Sequence, residues 1–313
     1  MLYRVAGKYF AVVGPDVRAI LGRIGRFDRF VVEEDDARGE NLDGRGEDFE
    51  SCAENPEANP ACDPVMTMFT GCDIAPLPAE TLYGIEVEGV RSVLERYDGG
   101  HQFRMFRSSG AGTGTEFIFR KPLDDGRIVA GPIADPAMFH FGLWMAFNMA
   151  LAPLRITAVH SSTIVYRQRA VLFLGESGVG KSTHTRLWLN NVEGSWLLND
   201  DSPFIAAGPE GCFAHGSPWS GKTPCYNDVL VPIAAVVRLS QAPRNRLYRL
   251  SPVEAFGALY PSVPPAFGYD PQFTDHACRL ISDVIETVPL YRLECLPEPS
   301  AARLVCDEIF HRQ

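Results

Sequence analysis

The segment Ala170-Val171-Leu172-Phe173-Leu174, followed by Gly175-Glu176-Ser177-Gly178-Val179-Gly180-Lys181-Ser182, constrains this chain more than any other feature. Five apolar residues running into glycines read as a buried strand that delivers a tight turn to a helix N-terminus, the arrangement of a phosphate-binding loop. Glycines let backbone N–H groups crowd around phosphate oxygens, and the helix dipole favours the negative charge. On this reading Gly175 to Ser182, with Thr183 behind them, bind a nucleoside triphosphate such as ATP. Lys181 holds the β and γ phosphates, and Ser182 places its hydroxyl on Mg²⁺. A second stretch, Gly216-Ser217-Pro218-Trp219-Ser220-Gly221-Lys222-Thr223, satisfies the same bare pattern. Pro218 and Trp219 crowd that loop, and Pro224 and Pro232 leave room for a short helix at most. It is therefore predicted as a second loop of the same site, with Lys222 offering a cation to phosphates or acceptor.

A kinase or NTPase needs a carboxylate at the end of a second strand, and Trp196-Leu197-Leu198-Asn199-Asp200-Asp201 supplies two. Side chains alternate along a strand, so both face one site only if the chain turns, and Ser202-Pro203 predicts that turn. One aspartate then holds the metal while the other takes the acceptor proton; Ser182 and Asp200 are the metal candidates, and which aspartate is the base is left open. His160 is expected on the strand before the phosphate-loop strand, one hairpin from the loop, and joins Asp200, Asp201 and Lys181 as a catalytic candidate. His184, Arg186, His215, Arg238, Gln241, Asn245 and Arg246 are further candidates to line the site, with Arg238 or Arg246 stabilising the transferring phosphate.

At 313 residues and 46% hydrophobic, the chain can bury a sizeable core, and its length suits two domains or one large one. Residues 33–63 hold twelve acids against Arg38 and Arg45, a net of −10 that equals the whole chain's, so the remainder sums to zero. That balance excludes a broad basic nucleic-acid face. The same acidic tract, nearly free of large apolar groups, reads as a flexible surface loop. Met138 to Leu154, the most apolar run, is interrupted by His140, Gly142 and Asn148 and is read as falling short of the roughly 18 consecutive apolar residues a membrane span needs. Met1 to Phe10 lacks a signal-peptide h-region, which places the protein in the cytoplasm. The eight cysteines form no C-x-x-C pair and read as thiols rather than zinc ligands.

Alternation and turn residues predict a hairpin over 2–13, a short helix over 16–24, a strand over 29–32 and further strands through 82–131. An apolar helix follows Pro136. The expected boundary lies at 130–137, giving a β-rich α+β domain over 1–135 and a nucleotide-binding domain over 136–313. In the second, strands over 157–166 and 170–174 precede the loop, a helix starts at Lys181, and strands follow at 196–198 and 231–239. Ser251-Pro252-Val253-Glu254 spells a capping box, Asp270-Pro271 a cap with an N1 proline, and Ser300 the cap of the last helix.

The order His160, strand, GESGVGKS, helix, strand, Asp200-Asp201 resembles the catalytic domain of HPr kinase/phosphorylase and its relatives, which share a phosphoenolpyruvate-carboxykinase-like nucleotide site. The resemblance covers about residues 155 to 205. Beyond it, Pro218-Trp219-Ser220-Gly221 and Arg238-Leu239-Ser240-Gln241 look like a divergent group of HPr-kinase-like proteins, some associated with peptide-modification gene clusters. The resemblance implies an α/β fold with a mixed sheet, in which an antiparallel hairpin feeds the loop. Here only Arg167-Gln168-Arg169 separates the two strands, too little for a crossover helix. It also implies an ATP- and Mg²⁺-dependent kinase whose acceptor is the hydroxyl of a serine in a peptide or protein, or of a small molecule. Lys181 and Ser182 would bind phosphate and metal, His160 would lie near the phosphates, and Asp200 and Asp201 would serve metal binding and proton abstraction. The second signature of the bifunctional enzymes, a glycine-rich stretch containing asparagine, is not recognisable, so neither phosphorylase activity nor HPr as substrate is implied. A carboxykinase-like small-molecule phosphotransferase and a non-catalytic nucleotide-binding regulator are the alternatives, and the oligomeric state, a homo-oligomer included, is left open.

Overall fold

Two residues with positive φ, Ala6 and Gly7, turn the chain between β1 (Leu2–Val5) and β2 (Lys8–Val13), the twist that a two-residue hairpin loop requires. The computed structural model describes residues 1–15, 17–32, 63–108, 116–123, 125–221 and 223–311, and it divides into two units, Met1–Leu151 and Ala152–Gln313. Each is mixed α/β. After β2 come α1 (Val17–Ile24), then β3 (Met66–Phe69), β4 (Glu80–Val87), β5 (Val90–Tyr97), β6 (Gly100–Arg107), β7 (Phe117–Pro122) and β8 (Arg127–Ala130). They form one sheet in the order β1-β2-β3-β8-β7-β6-β5-β4, parallel where β3 meets β2 and β8 and antiparallel elsewhere.

The strand expected over 29–32 is instead a 3-10 turn at Asp28–Phe30 with a lone bridge from Val31 to Tyr3. Burying the Phe30 ring favours the turn over a continued strand. Apart from Asp63, the acidic tract lies outside the described residues.

Helix α2 (Pro136–Leu151) corrects the domain boundary. Phe139 packs edge-on to Phe117 of β7, Phe147 packs on Phe10 of β2, and a Cβ at Gly142 would collide with the Phe117 ring. The helix thus belongs with the first sheet, and the boundary falls after Leu151 rather than before Pro136. The stretch Pro136–Leu154 is also, by length and composition, apolar enough to cross a membrane, contrary to the expectation from its polar interruptions, although most of it is buried inside the protein.

The second unit opens with β9 (Ile156–Ala158), β10 (Ser161–Tyr166) and β11 (Arg169–Leu174), followed by α3 (Lys181–Asn191), β12 (Trp196–Asp201), β13 (Phe204–Gly208) and β14 (Gly211–His215). Then come β15 (Leu230–Gln241), β16 (Arg246–Arg249), α4 (Pro252–Leu259), α5 (Pro271–Thr287), β17 (Leu290–Cys295) and α6 (Pro299–Phe310). The sheet runs β12-β10-β11-β15-β14-β13-β9, with β17 beside β15 and β16 beside β17. Strand β11 is antiparallel to β10 and parallel to β15, so a hairpin with Arg167-Gln168 at its tip feeds the glycine loop. Helices α3 and α6 cover one face, where Trp188, Val305 and Ile309 pack with Val171, Phe173, Val237 and Leu239.

The capping box at Ser251 and Glu254 and the Asp270 cap form as their chemistry predicts. The last helix differs, because Glu298 occupies the cap position with Pro299 at N1, and Ser300 hydrogen-bonds to Glu298 instead.

Candidate functional site

Leu174 ends β11, and the chain must then reverse toward α3 within six residues. Gly175 allows this at φ 148°, where a Cβ would lie 2.6 Å from Val179 Cγ1. Gly180 enters α3 at φ 111°, a conformation that a residue with a side chain adopts only under strain.

Lys181 leads the helix and folds back over the loop. Its Nζ donates to the carbonyls of Gly175 at 2.7 Å and Glu176 at 3.2 Å, and to His160 Nε2 at 2.9 Å. On the other side of the imidazole, His160 Nδ1 stands 3.0 Å from Asp201 Oδ1. Since the ammonium can only donate, Nε2 accepts and Nδ1 carries the proton toward Asp201, a tautomer assigned from the network. Burial pushes the Lys181 pKa down, and the charges of Asp201 and Asp200 pull it back up. Next along the helix, Ser182 Oγ donates to Asp200, 3.3 and 3.4 Å from its two carboxylate oxygens.

His160 is not within a strand as expected. The predicted strand over 157–166 breaks into β9 and β10, and His160 sits in the bend between them, its N–H bonded to the Ser262 carbonyl at 2.7 Å. Leaving the pleat frees the ring to reach both Lys181 and Asp201. The aspartates lie at the end of β12, paired with Ser162 and Ser161 of β10. Asp200 is buried and meets α3, whereas Asp201 is half-exposed and meets His160. What breaks the alternation is Asp201 itself, at φ 140°, one residue before the turn expected at Ser202-Pro203.

The second glycine stretch lies against the aspartates. Ser220 bridges to Asp201, Ser220 Oγ donates to the Asp200 carbonyl at 3.2 Å, and the Gly221 N–H donates to that same carbonyl. A Cβ at Gly221 would come within 3.0 Å of the Asp200 oxygen, so the glycine permits the approach. No helix follows this loop, and Lys222 lies outside the described residues. Asn199, which was not singled out from sequence, ties the arrangement together. Fully buried, it donates to the carbonyls of Trp219 at 3.1 Å and of Ser217 and Cys225 at 3.3 Å, and accepts from the Ser202 N–H at 2.9 Å. The available signal was an amide between Leu198 and Asp200 in a buried strand, where an unpaired amide would be costly.

The remaining candidates divide. Arg238, at the end of β15, reaches Glu176 at 3.9 Å and the Ala258 carbonyl at 3.3 Å, and Gln241 donates to the Val179 carbonyl at 3.4 Å, so both stand at the loop. His184 is buried against Phe173 and accepts from Trp188 Nε1 at 3.3 Å, with burial lowering its pKa to about 4, so its role is in the core. Arg186 donates to the Ser182 carbonyl, His215 is buried in β14, Asn245 binds Glu298 and Ser300, and Arg246 contacts Tyr248 on β16.

Among the described residues no group of three or more His, Cys, Asp or Glu could hold a metal ion by itself. Ser182 and Asp200 still present hard oxygen donors side by side, which suits a cation completing its shell with phosphate and water. No family model matches the chain, and neither does any curated protein.

Proposed function

We propose that this chain is a divergent kinase with an HPr-kinase-like, phosphoenolpyruvate-carboxykinase-like nucleotide site, which moves the γ-phosphoryl group of ATP to an acceptor hydroxyl of a serine in a peptide or protein, or of a small molecule. The observation that carries the reading is the meeting of two contacts at one glycine loop: Lys181 linked through His160 to Asp201, and Ser182 on Asp200. The hairpin entry of β10 into β11 supports that architecture over a βαβ core.

Lys181 exchanges its loop carbonyls for phosphate oxygens when nucleotide arrives, and the loop N–H groups cradle the same phosphates. Ser182 and Asp200 would hold Mg²⁺, which when bound neutralises charge between the β and γ phosphates. Asp201 takes the proton of the acceptor hydroxyl as that oxygen forms its bond to phosphorus and the bond to the β-phosphate oxygen breaks. The His160 Nδ1–H points the Asp201 carboxylate and keeps it an acceptor.

Titration calorimetry with Mg-ATP and single-turnover transfer with labelled ATP, against serine peptides and proteins from the same cell, test this. Lys181→Ala should abolish measurable binding. Asp201→Asn should retain binding while transfer slows by about 10²–10⁴-fold. Absence of ATP binding by the parent, or unchanged transfer in Asp201→Asn, would sink the reading.

A further inference from the structure

Helix α3 presents two opposite stripes at its N-terminus. Lys181, Ser182 and Thr185 turn toward His160, Asp200 and Ser162. Gly180, Thr183, His184 and Leu187, at i, i+3, i+4 and i+7, line instead a cleft of about 620 Å³ on the other side of the glycine loop. The ends of β15 and β17 close it, with Leu239, Gln241 and Ala242 from one and Cys295 from the other, and Leu296 and Pro297 continue the wall toward α6. Its size is that of a small-molecule site, and its lining is mostly apolar with few polar groups. Among the described residues that line it there is neither a carboxylate nor a cationic Lys or Arg. Gln241 stands at the edge with its amide beside the loop, Nε2 on the Val179 carbonyl, while its Oε1 and second N–H are left for a ligand.

We propose that this cleft receives the nucleoside half of the nucleotide and selects adenine over guanine, a proposal that rests on the phosphate-loop reading and deepens it. The base lies between Leu187 and the Leu296-Pro297 wall, where a planar ring replaces water on apolar surface. A primary amide offers one donor and one acceptor side by side, which matches the paired acceptor and donor of an adenine edge. Guanine can offer the same pairing through O6 and N1–H, but its N2 amino group is a further donor, and with no carboxylate in the lining it enters the apolar cleft unpaired. The proposal also gives the site a direction. The triphosphate crosses the N-terminus of α3 from the cleft toward the aspartates, so the acceptor approaches from the side of His160 and the Ser220-Gly221 loop.

The full chain with Mg²⁺ is titrated with ATP, GTP and inorganic tripolyphosphate. ATP should bind at least about tenfold more tightly than either of the others. Ala242→Trp fills the cleft and should bring ATP down to the tripolyphosphate level while leaving tripolyphosphate unchanged. Gln241→Leu, an exposed change that leaves the backbone alone, should erase the preference for ATP over GTP. ATP, and not tripolyphosphate, should slow alkylation of Cys295 by N-ethylmaleimide, read from the mass of its peptide. Equal affinity of the parent for ATP and tripolyphosphate, or unimpaired ATP binding by folded Ala242→Trp, would overturn the cleft assignment and leave the phosphate loop standing. Loss of both ligands in the parent would instead bring down the phosphate loop and the cleft with it.

Discussion

His184 shows how a residue beside the reactive groups can serve the fold. Its imidazole is buried against Phe173, accepts the Trp188 indole N–H and is held neutral, with a pKa of about 4 instead of 6.5. The unfolded chain binds a proton at His184 below pH 6.5 and the folded chain does not until about pH 4, so this contribution is intact above pH 6.5 and disappears as pH falls toward 4. The loss amounts to roughly 3 kcal/mol at its limit, at 1.36 kcal/mol per unit. Urea unfolding at several pH values should show the slope, and His184→Gln, which keeps an acceptor for Trp188, should flatten it. A slope unchanged in the variant would place the acid sensitivity elsewhere. Lys181, three residues earlier, is also pushed down by burial, but two aspartates oppose the shift. That is how a charged group survives there.

Among the elements, the hairpin that feeds the loop carries the cheapest available improvement. Arg167 and Gln168 both sit at positive φ, 48° and 58°, where a side chain costs about 1 kcal/mol relative to glycine. Arg167 recovers part of this by stacking on Tyr166 and reaching the Phe310 carbonyl, whereas Gln168 makes no such contact among the described residues. Gln168→Gly should therefore raise stability by about 0.5–1 kcal/mol, visible as a higher melting temperature with unchanged nucleotide affinity. A lower melting temperature would show that the glutamine contributes more than its backbone costs. This hairpin was legible because its information is local: two apolar runs and three residues between them. The same holds for the Ser251 capping box and the Asp270 cap. Helix α2 was visible as a helix but not in its allegiance, since apolar residues all around it indicate no direction for packing. Over Arg29–Val32 a short apolar run suits a strand or a turn equally, and only the burial of Phe30 decides. At the site, Lys181, Ser182 and the aspartates announced themselves by type and spacing. The Asn199 tie did not, because the carbonyls it donates to lie 18 to 26 residues away, and every residue has a carbonyl.

At the scale of the whole molecule, every residue of the glycine loop, the aspartate pair, His160 and the cleft falls within Ala152–Gln313, whereas α2 packs with Met1–Leu151. A chain beginning at Ala152 should fold and bind Mg-ATP with the parent's affinity by calorimetry, and one beginning at Pro136 should aggregate through the unpartnered apolar surface of α2. Equal solubility of the two would move the boundary back toward 135. Asp201 has a consequence that reaches beyond the individual protein. At φ 140° it occupies backbone space that glycine fills without strain, at a cost of about 1–3 kcal/mol. Its half-exposed pairing with His160 returns about 0–1 kcal/mol at most. Selection for stability alone would replace this aspartate with glycine, and under the proposed function the need for a proton acceptor opposes the change. On that proposal, position 201 is where a descendant without phosphoryl transfer would be expected to drift first.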